Sequence, residues 1–249
     1  MLVFAAAIVA GGYGLLKYWP DHEENVPQKT VQEQSYRITA LGDSLTEGVG
    51  DAKEGGYTGI TERLLTEQKS VAKVTLDNFG HRGDMSQDLL NVLKRPEVRE
   101  SIRESDMIFL TIGGNDLFSV LRKHFMNLTV SDFTAEQRVF TKNLNRIFTD
   151  IRKLNPSARI YYFGLYNPFE DYLDEANRDF VPILNRWNEN SASTAEKFKS
   201  IVFIPTADIF KGKGDTLLYE DHFHPNRKGY HLFAKRLLHQ VDKNESPGG

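Results

Sequence analysis

The sequence predicts an α/β fold in which helices cover both faces of a parallel β-sheet. Short apolar runs of strand length alternate along the chain with longer segments of helical periodicity, which is the pattern of repeated strand and helix units. Several of the apolar runs stop abruptly at loops that contain glycine and polar residues. Parallel strands present their carboxyl ends at one edge of a sheet, and α/β folds place their ligands at that edge.

Composition limits the range of functions. The chain has 249 residues, of which 40% are hydrophobic and 11% aromatic, which is ordinary for one large folded domain or two small ones. Its 31 Lys and Arg residues against 34 Asp and Glu residues leave a formal net charge of -3 without a long basic stripe, so we expect no nucleic-acid partner. The absence of cysteine excludes disulfides, thiolate metal sites and a cysteine nucleophile.

The amino-terminal segment carries no charge over residues 1–16, as in the apolar region of a signal peptide or in a short membrane anchor. We assign residues 1–17 to such a segment and the polar residues 18–35 to a linker. A buried first helix is the alternative for the apolar run. The assignment predicts an extracytoplasmic protein that is either secreted or associated with the membrane through residues 1–16.

Five strands are predicted in a domain that we place at residues 36–242. The first contains Ile38–Leu41 and leads directly into Gly42, Asp43 and Ser44. The others are runs of β-branched, aromatic and aliphatic residues bounded by turn residues. They are Val71–Phe79, Asp106–Ile112, Arg159–Leu165 and Ile201–Ile204.

Helical spacing of apolar residues is found between these strands. The predicted helices are Tyr57–Gln68, a helix with Met85, Leu89, Leu90 and Leu93 on one side, Ala135–Leu154, Phe180–Phe198, and a closing helix from Tyr230 to Val241. Two aromatic segments lack a clean period, and their residues either line an acyl pocket or belong to the core. We interpret residues 117–133 as a mobile flap and residues 166–179 as a loop, and we expect a tail at residues 243–249.

Ser44 has two interpretations. It follows a buried strand, so its hydroxyl is placed at the sheet edge where chemistry is expected, but Asp43 and Ser44 are also common helix-capping residues. Gly83 and Asn115 likewise stand just beyond separate strands and should meet Ser44 at the same edge. Capping alone does not explain this convergence, so we favour Ser44 as a nucleophile.

A serine hydroxyl is a poor nucleophile until a base takes its proton, and a histidine oriented by a carboxylate is the usual base. Asp221 and His224 are spaced so that one tight loop can hold the carboxylate against the imidazole. The oxyanion that forms during attack needs preorganised donors. The backbone N–H groups of Ser44 and Gly83 and the side-chain amide of Asn115 are the candidates.

Four blocks of the sequence resemble those of the GDSL/SGNH hydrolase family, of the bacterial exported or membrane-anchored type. In the family's order they are Gly42-Asp43-Ser44-Leu45, Gly83-Asp84, Gly113-Gly114-Asn115-Asp116 and Asp221-x-x-His224-Pro225-Asn226. The resemblance implies a three-layer, flavodoxin-like α/β/α fold with a parallel five-stranded sheet, and ester hydrolysis that needs no metal or cofactor. By matching position it makes Ser44 the nucleophile, places Asp221 and His224 in the triad, and places Gly83 and Asn115 in the oxyanion hole.

The second block departs from the family pattern. It has His81 and Arg82 where many members have an apolar residue and a serine, so a positive group is expected near the pocket. The departure also leaves Gly80 as an alternative to Gly83 for the oxyanion hole.

Two alternatives concern the histidine-rich loop. His222 is a second candidate for the base, although its neighbour Asp221 cannot easily orient its ring. A metal site built from Asp221, His222, His224 and His81 is the other alternative, but it would leave the serine and asparagine blocks unexplained.

The predicted function is that of a serine ester hydrolase of the lipase, esterase or acylhydrolase kind, which works through an acyl-enzyme on Ser44. Its expected partner is a small-molecule or lipid ester. A carbohydrate O-acetyl esterase acting on cell-envelope or plant polysaccharide is the first alternative, because substrate pockets are built from variable loops. The alternative of another class is a non-catalytic envelope module that binds a glycan or a lipid. A third hypothesis is a protein that acts chiefly through interactions in the envelope.

Overall fold

A parallel β-sheet lies at the centre of the fold. The computed structural model describes residues 33–123, 130–171 and 174–245. Its strands are β1 (Gln34–Gly42), β2 (Val71–Gly80), β3 (Met107–Thr111), β4 (Arg159–Phe163) and β5 (Ile201–Ile204). Within the described residues they form one sheet in the spatial order β2-β1-β3-β4-β5, and every neighbouring pair is parallel.

The strand order reverses next to β1. The chain places β2 on one side of β1 and then crosses over to place β3 on the other side. The last residue of β1, Gly42, is level with Gly80 at the end of β2 and with Thr111 at the end of β3. Because the three strands end at the same height at a reversal of strand order, the loops that follow them surround one crevice.

Helices follow most of the strands. They are α1 (Ser44–Glu47), α2 (Gly56–Thr66), α3 (Ser86–Val92), α4 (Pro96–Glu104), α5 (Gly114–Lys123), α6 (Val130–Leu154), α7 (Asp174–Ala195), α8 (Ala207–Phe210), α9 (Gly214–Leu217) and α10 (Arg227–Glu245).

The side chains of β3 show how the sheet divides the core into two layers. Ile108 and Leu110 pack into a cluster with residues of α3 to α7, whereas Met107 and Phe109 pack into a second cluster with residues of α2 and α8 to α10. All five residues of β3 are buried. Both faces of the strand are therefore covered, as expected for the central strands of a three-layer α/β/α sandwich.

A buried asparagine joins several elements near the amino-terminal ends of the strands, away from the crevice. Asn155 follows α6, and its Nδ2 donates to the carbonyl oxygens of Ile102 and Ser105 at 2.8 Å each. Its Oδ1 accepts the backbone N–H of Ala158 at 2.8 Å. The side chain thus links backbone groups at the end of α4, before β3 and before β4.

The predicted α/β fold with a parallel five-stranded sheet is confirmed. Some boundaries differ, because β1 begins at Gln34, two residues before the predicted start of the domain at Tyr36, and α10 continues to Glu245. The helix predicted from Phe180 begins earlier, at Asp174.

The prediction of a mobile flap at residues 117–133 is wrong for the residues that the structure describes. Residues 117–123 lie in α5, and α6 begins at Val130. Leu117, Val120 and Phe133 are buried in the core, so these segments are anchored by apolar packing. Residues 124–129 lie outside the described part of the chain. Helices α4, α8 and α9 were not predicted.

Among the described residues, no helix combines the length and the apolar character needed to cross a bilayer. The predicted signal or anchor segment, residues 1–17, lies outside the described part of the chain, as do residues 18–32 of the predicted linker and residues 246–249 of the predicted tail.

Candidate active site

The turn between β1 and α1 presents Ser44. Asp43 caps α1 with Oδ1, which accepts the backbone N–H of Leu45 at 3.1 Å and the Thr111 hydroxyl at 2.8 Å. Gly42 has φ 143°, and a Cβ at this position would lie 2.0 Å from the Thr111 carbonyl oxygen. The strand end therefore requires glycine, and capping and presentation of the serine occur together in one turn.

The loop before α10 brings a histidine and an acid to Ser44. The Nε2 atom of His224 lies 2.8 Å from Ser44 Oγ, and its Nδ1 atom lies 2.6 Å from Asp221 Oδ2. Oδ1 of Asp221 accepts the backbone N–H groups of Phe223 at 3.0 Å and of His224 at 2.9 Å. Serine, imidazole and carboxylate thus form a continuous hydrogen-bonded chain.

Hydrogen bonds other than those that join Ser44, His224 and Asp221 hold the loop before α10 in place. The Tyr219 N–H donates to the His224 carbonyl oxygen at 2.7 Å, and Asn226 Nδ2 donates to the Leu218 carbonyl oxygen at 2.9 Å. The buried Tyr166 donates its hydroxyl hydrogen to the Phe223 carbonyl oxygen at 2.5 Å. The histidine ring is therefore oriented by both its carboxylate partner and a fixed backbone.

Asp221 is suited to act as the carboxylate of this chain. Its partial burial pushes its pKa upward, but the hydrogen bonds from the His224 ring and from the two backbone N–H groups outweigh burial, so the pKa lies below the ordinary value. The carboxylate is consequently ionised at neutral pH and can stabilise an imidazolium.

The structure bears on the two alternatives for the histidine-rich loop, which are His222 as the base and a metal site. His224 contacts Ser44, whereas His222 is exposed and has φ 55°. In the described part of the chain, no three His, Asp or Glu side chains are grouped so that they could hold a metal ion.

Ser44, Gly83 and Asn115 line one cavity together. Ser44 is the first residue of α1, so its N–H lacks an acceptor within the helix. The Asn115 Nδ2 atom donates one hydrogen to the Asp84 carbonyl oxygen at 2.9 Å, which leaves its second hydrogen for another acceptor. The three residues expected to supply the oxyanion donors thus line the same cavity as the serine.

Gly80 and Gly83 have different surroundings. The Gly80 N–H donates to Asn78 Oδ1 at 2.9 Å, and a Cβ on Gly80 would lie 2.4 Å from the Glu47 backbone nitrogen. Gly83 has φ 88°, and a Cβ there would meet nothing within 4 Å. Gly80 is therefore explained by close packing, whereas Gly83 has open space at the cavity.

Asp116 braces the loops that carry these candidate donors. Asp116, which follows Asn115 in α5, accepts the backbone N–H of Ser86 at 2.9 Å and the Ser86 hydroxyl at 2.5 Å. Asn143 of α6 donates to the same hydroxyl at 3.0 Å. The network ties the start of α3 to α5 and so fixes the loop that contains Gly83 relative to Asn115. A pairing across 30 residues leaves no local sequence pattern.

Two buried carboxyl groups near the serine have raised pKa values. Burial raises the pKa of Asp43 to about 7, against the lowering effect of its bonds from Thr111 and Leu45. Burial likewise raises the pKa of Asp116 to about 6, against its bonds from Ser86. Neither carboxyl group contacts the imidazole. Both instead hold neighbouring backbone and hydroxyl groups in position around the site.

Within the described part of the chain, two cavities adjoin Ser44. The larger has a volume of about 410 Å³, within the range typical of small-ligand sites, and its walls include Phe118, Leu121, Phe169, Phe223, Arg82 and Arg122. The smaller has a volume of about 30 Å³ and is lined mostly by apolar groups, among them Leu45, Leu165, Tyr166 and Pro168. The rings of Phe118 and Phe223 line both cavities.

Residues 40–232 match the family model of the GDSL-like lipase/acylhydrolase family, which is more than half of the chain. The chain belongs to this family. The match spans Ser44, Gly83, Asn115, Asp221 and His224. The resemblance seen in the sequence is confirmed, and the protein is a carboxylic ester hydrolase of the GDSL type.

Relatives of this GDSL hydrolase include two Bacillus proteins. The chain is 37% identical over 221 residues to YpmR, an uncharacterized protein of Bacillus subtilis, with 88% of the chain and 86% of YpmR covered. It is 28% identical over 209 residues to the spore germination lipase LipC of Bacillus licheniformis, with 81% of the chain and 94% of LipC covered.

Solved structures of similar proteins have the same fold. The lipase Lip_vut3 from a goat rumen metagenome superposes with a TM-score of 0.66 at 26% identity, and 82% of the chain and 96% of Lip_vut3 are covered. A catalytic mutant of Axe2, an acetylxylan esterase from Geobacillus stearothermophilus, gives a TM-score of 0.63 at 18% identity, with 83% and 94% covered. The second likeness concerns the fold alone.

Proposed function

We propose that Ser44, His224 and Asp221 form the catalytic triad of this ester hydrolase and that hydrolysis passes through an acyl-enzyme on Ser44. The observation that carries the proposal is the hydrogen-bonded chain from Ser44 Oγ through the His224 ring to Asp221 Oδ2, with distances of 2.8 and 2.6 Å. Each distance is within hydrogen-bonding range for proton transfer in the order that a serine hydrolase requires.

The acylation step moves one proton twice. As Ser44 Oγ attacks the carbonyl carbon of the ester, its proton passes to Nε2 of His224, and Asp221 stabilises the imidazolium that forms. The negative charge on the former carbonyl oxygen is met by the N–H groups of Ser44, Gly83 and Asn115. The tetrahedral intermediate then collapses, and Nε2 gives the proton to the departing alcohol oxygen.

The deacylation step repeats this sequence with water. Nε2 of His224 takes a proton from a water molecule while the water oxygen attacks the acyl carbon on Ser44. The same donors receive the second oxyanion, and the imidazolium then returns the proton to Ser44 Oγ as the carboxylic acid leaves.

The triad can be tested with a fluorophosphonate probe and mass measurement. The intact protein is expected to gain one adduct, which Ser44→Ala should abolish because the reactive oxygen is gone. His224→Ala should lower kcat for a soluble ester by about 10⁴-fold or more. His222→Ala is the matched control, two residues away in the same loop, and should retain activity. An adduct on Ser44→Ala would disprove the nucleophile assignment.

An acyl ester with an apolar chain is the substrate class that we favour. The cavity of about 410 Å³ offers apolar walls next to the nucleophile, and aromatic rings bury acyl chains at about 25 cal/mol per Å² of apolar surface. The names of the relatives LipC and Lip_vut3, both lipases, agree with this class.

An acetyl ester of a carbohydrate is the second candidate. The small cavity beside Ser44, of about 30 Å³, offers a short acyl group much less room than the larger cavity offers a chain. Hydrolysis rates over nitrophenyl esters from acetyl to dodecanoyl, together with acetylated xylo-oligosaccharides, separate the two candidates. A maximum at medium or long chains supports the lipid ester, and a maximum at acetyl supports the carbohydrate ester. No turnover of any of them would indicate a binding module instead.

We also propose that residues 1–16 direct export or hold the protein at a membrane. Their uncharged, apolar composition supports this assignment. Fractionation of producing cells, followed by mass measurement of the mature protein, tests it. Protein found in the cytosol with residues 1–16 intact would contradict it.

A further inference from the structure

Strand β2 lies at one edge of the sheet. Within the described residues it pairs on one side only, with β1. It has ten residues, none of them fully buried, whereas β5 at the other edge has four. A long edge strand presents backbone N–H and C=O groups that another strand can bind. The outer edge of β2 is therefore a candidate surface for a protein partner.

The backbone of β2 directs alternate residues to this outer edge. The His81 N–H donates to the Gly42 carbonyl oxygen at 3.0 Å, so the backbone groups of odd-numbered residues face β1 and those of even-numbered residues face outward. The outward N–H of Gly80 accordingly bonds to the Asn78 side chain, at 2.9 Å, instead of to a strand. The pairing of β2 with β1 is regular from Lys73 onward, after an irregularity at the start of the strand.

Two opposite charges lie in the regular part of β2. Lys73 and Asp77 are exposed, and they lie on the same face of the sheet on either side of the half-buried Thr75. The Ser101 hydroxyl donates to Asp77 Oδ2 at 2.7 Å. This bond fixes the Asp77 carboxylate, whose other oxygen can accept a further donor.

The sequence of β2 is complementary to itself in one antiparallel register. A two-fold axis at Thr75 places Lys73 of each copy opposite Asp77 of the other. The same axis places Val74 opposite Leu76, whose outward backbone groups can then join the two strands by hydrogen bonds. The two charge pairs fall at the positions between these bonds, where facing side chains are closest. An axis at Val74 or at Leu76 would not place the two charges opposite each other.

We infer that β2 is a self-association surface, at which two copies of this chain pair antiparallel through Lys73, Thr75 and Asp77. Two five-stranded sheets then become one continuous sheet. The crevices that hold Ser44 open in opposite directions, because the strands of the two copies are antiparallel. The inference is independent of the proposed function, since Lys73 and Asp77 line neither cavity beside Ser44.

A single introduced cysteine tests this register, because the chain has no cysteine of its own. At the two-fold axis the Cα atoms of the two Thr75 residues are expected about 4.5 Å apart, which is within the range for a disulfide. The full-length Thr75→Cys variant should therefore form a disulfide-linked dimer on mild oxidation. Val139→Cys, at an exposed position of α6, is the control and should remain monomeric.

Charge reversal tests the pairing of the side chains. In the Thr75→Cys background, Lys73→Glu and Asp77→Lys should each lower the yield of linked dimer by about tenfold, because each places like charges opposite one another twice. A mixture of the two variants, distinguished by tags of different mass, should restore the yield, since every charge then faces its opposite. The kcat for a soluble ester should stay within about twofold in each variant, as a check that both are folded.

The other outcomes overturn the inference. A monomeric Thr75→Cys protein would show that no second copy binds the edge, whether it is free or covered by another segment such as residues 1–32. Equal linkage of Thr75→Cys and Val139→Cys would indicate association elsewhere, as through residues 1–16. A mixture that links no better than the single variants would show that the two charges do not meet. If Asp77→Lys is inactive through loss of its Ser101 contact, Lys73→Glu alone decides, and an unchanged yield overturns the inference.

Discussion

The two carboxylate oxygens of Asp221 have separate tasks. Oδ2 contacts the His224 ring, while Oδ1 accepts two backbone N–H groups of the loop that carries the ring. One oxygen therefore orients the imidazole, and the other shapes the loop around it. Substitutions that keep or remove the loop contacts should separate these tasks.

Asp221→Asn should lower kcat for a soluble ester by about 10⁴-fold, because an amide cannot stabilise the imidazolium and can select the wrong tautomer of His224. Its free energy of unfolding should change little, since an amide oxygen can still accept the loop N–H groups. Asp221→Ala should lose the same activity and also the loop hydrogen bonds, so its free energy of unfolding in urea should fall by about 1–2 kcal/mol. Equal unfolding free energies for the two variants would contradict the division of tasks.

Asn115 offers a test of the proposed oxyanion hole. Asn115→Ala should reduce kcat by about 100- to 1,000-fold and leave KM within about twofold, because the lost donor acts only on charge that develops in the transition state. The exposed Asn91, which lines a cavity without Ser44, supplies the control variant Asn91→Ala. A rise in KM with unchanged kcat would assign Asn115 to ground-state binding instead.

The buried carboxyl group of Asp43 makes stability depend on pH. Its pKa is about 7 in the folded protein and near 3.8 when unperturbed, so the folded state retains a proton that the unfolded chain has lost. The free energy of unfolding should therefore fall as pH rises from about 4 to about 7. In Asp43→Asn, which keeps the Oδ1 acceptor, this fall should be smaller by on the order of 2 kcal/mol.

Urea unfolding at pH 4.5, 6 and 7.5 measures this difference. A steeper fall in Asp43→Asn than in the wild type would show that Asp43 is ionised in the folded protein.

At the scale of elements, α5 joins the core to the site. Leu117 and Val120 are buried on one side, while Phe118 on another side packs against Phe169 and Phe223, with ring centroids 5.6 and 5.0 Å apart. The helix thus supplies Asn115 and one wall of both cavities, and its position is set by apolar packing on two sides.

Removal of the Phe118 ring should join the two cavities. Phe118→Ala should raise the ratio of kcat/KM for dodecanoyl over butanoyl nitrophenyl esters, because the combined space accepts a longer chain. It should also cost about 1–3 kcal/mol of stability through the lost ring contacts. Val139→Ala, at an exposed position of α6, is a control that should change neither quantity. An unchanged chain-length profile would show that acyl chains do not lie against this ring.

The accuracy of the sequence predictions follows from these packing patterns. Strands β3 and β4 are predictable because burial on both faces makes them nearly continuous apolar runs. By contrast, the period of α5 is lost when residues 117–133 are treated as one segment, because the helix has only ten residues and ends at Lys123. Helices α8 and α9 have four residues each, too few to show any period.

Site residues in local motifs were predicted from the sequence, whereas contacts between distant segments were not. Ser44, Asp221 and His224 belong to short motifs that can be recognised from a single sequence. The structure brings these residues within hydrogen-bonding distance. Arg82 was expected near the pocket from its place in the second block, and it lines the larger cavity. The contact between Asp116 and Ser86 and the position of Arg122 in that cavity depend on how separate segments meet. Such contacts are set by tertiary packing and leave no pattern in the sequence.

At the scale of the whole molecule, residues 33–249 form one compact unit. This unit holds both core clusters and every residue of the proposed site. A protein that begins at Glu33 should therefore keep its melting temperature within about 2 °C of that of the full chain and its kcat for a soluble ester within about twofold. Calorimetry and a nitrophenyl ester assay check this. A large fall in both the melting temperature and kcat would show that residues 1–32 contribute to folding.

The proposed triad joins the two ends of this unit, because Ser44 and His224 are separated by 180 positions. An unfinished chain that stops before the last loop contains the serine but no base, so during its synthesis the protein carries an inert hydroxyl. Reactivity begins only when nearly the whole domain has been made and its last loop has reached β1. A hydrolase assembled in this way cannot act on esters in the cell that makes it until its folding is essentially complete.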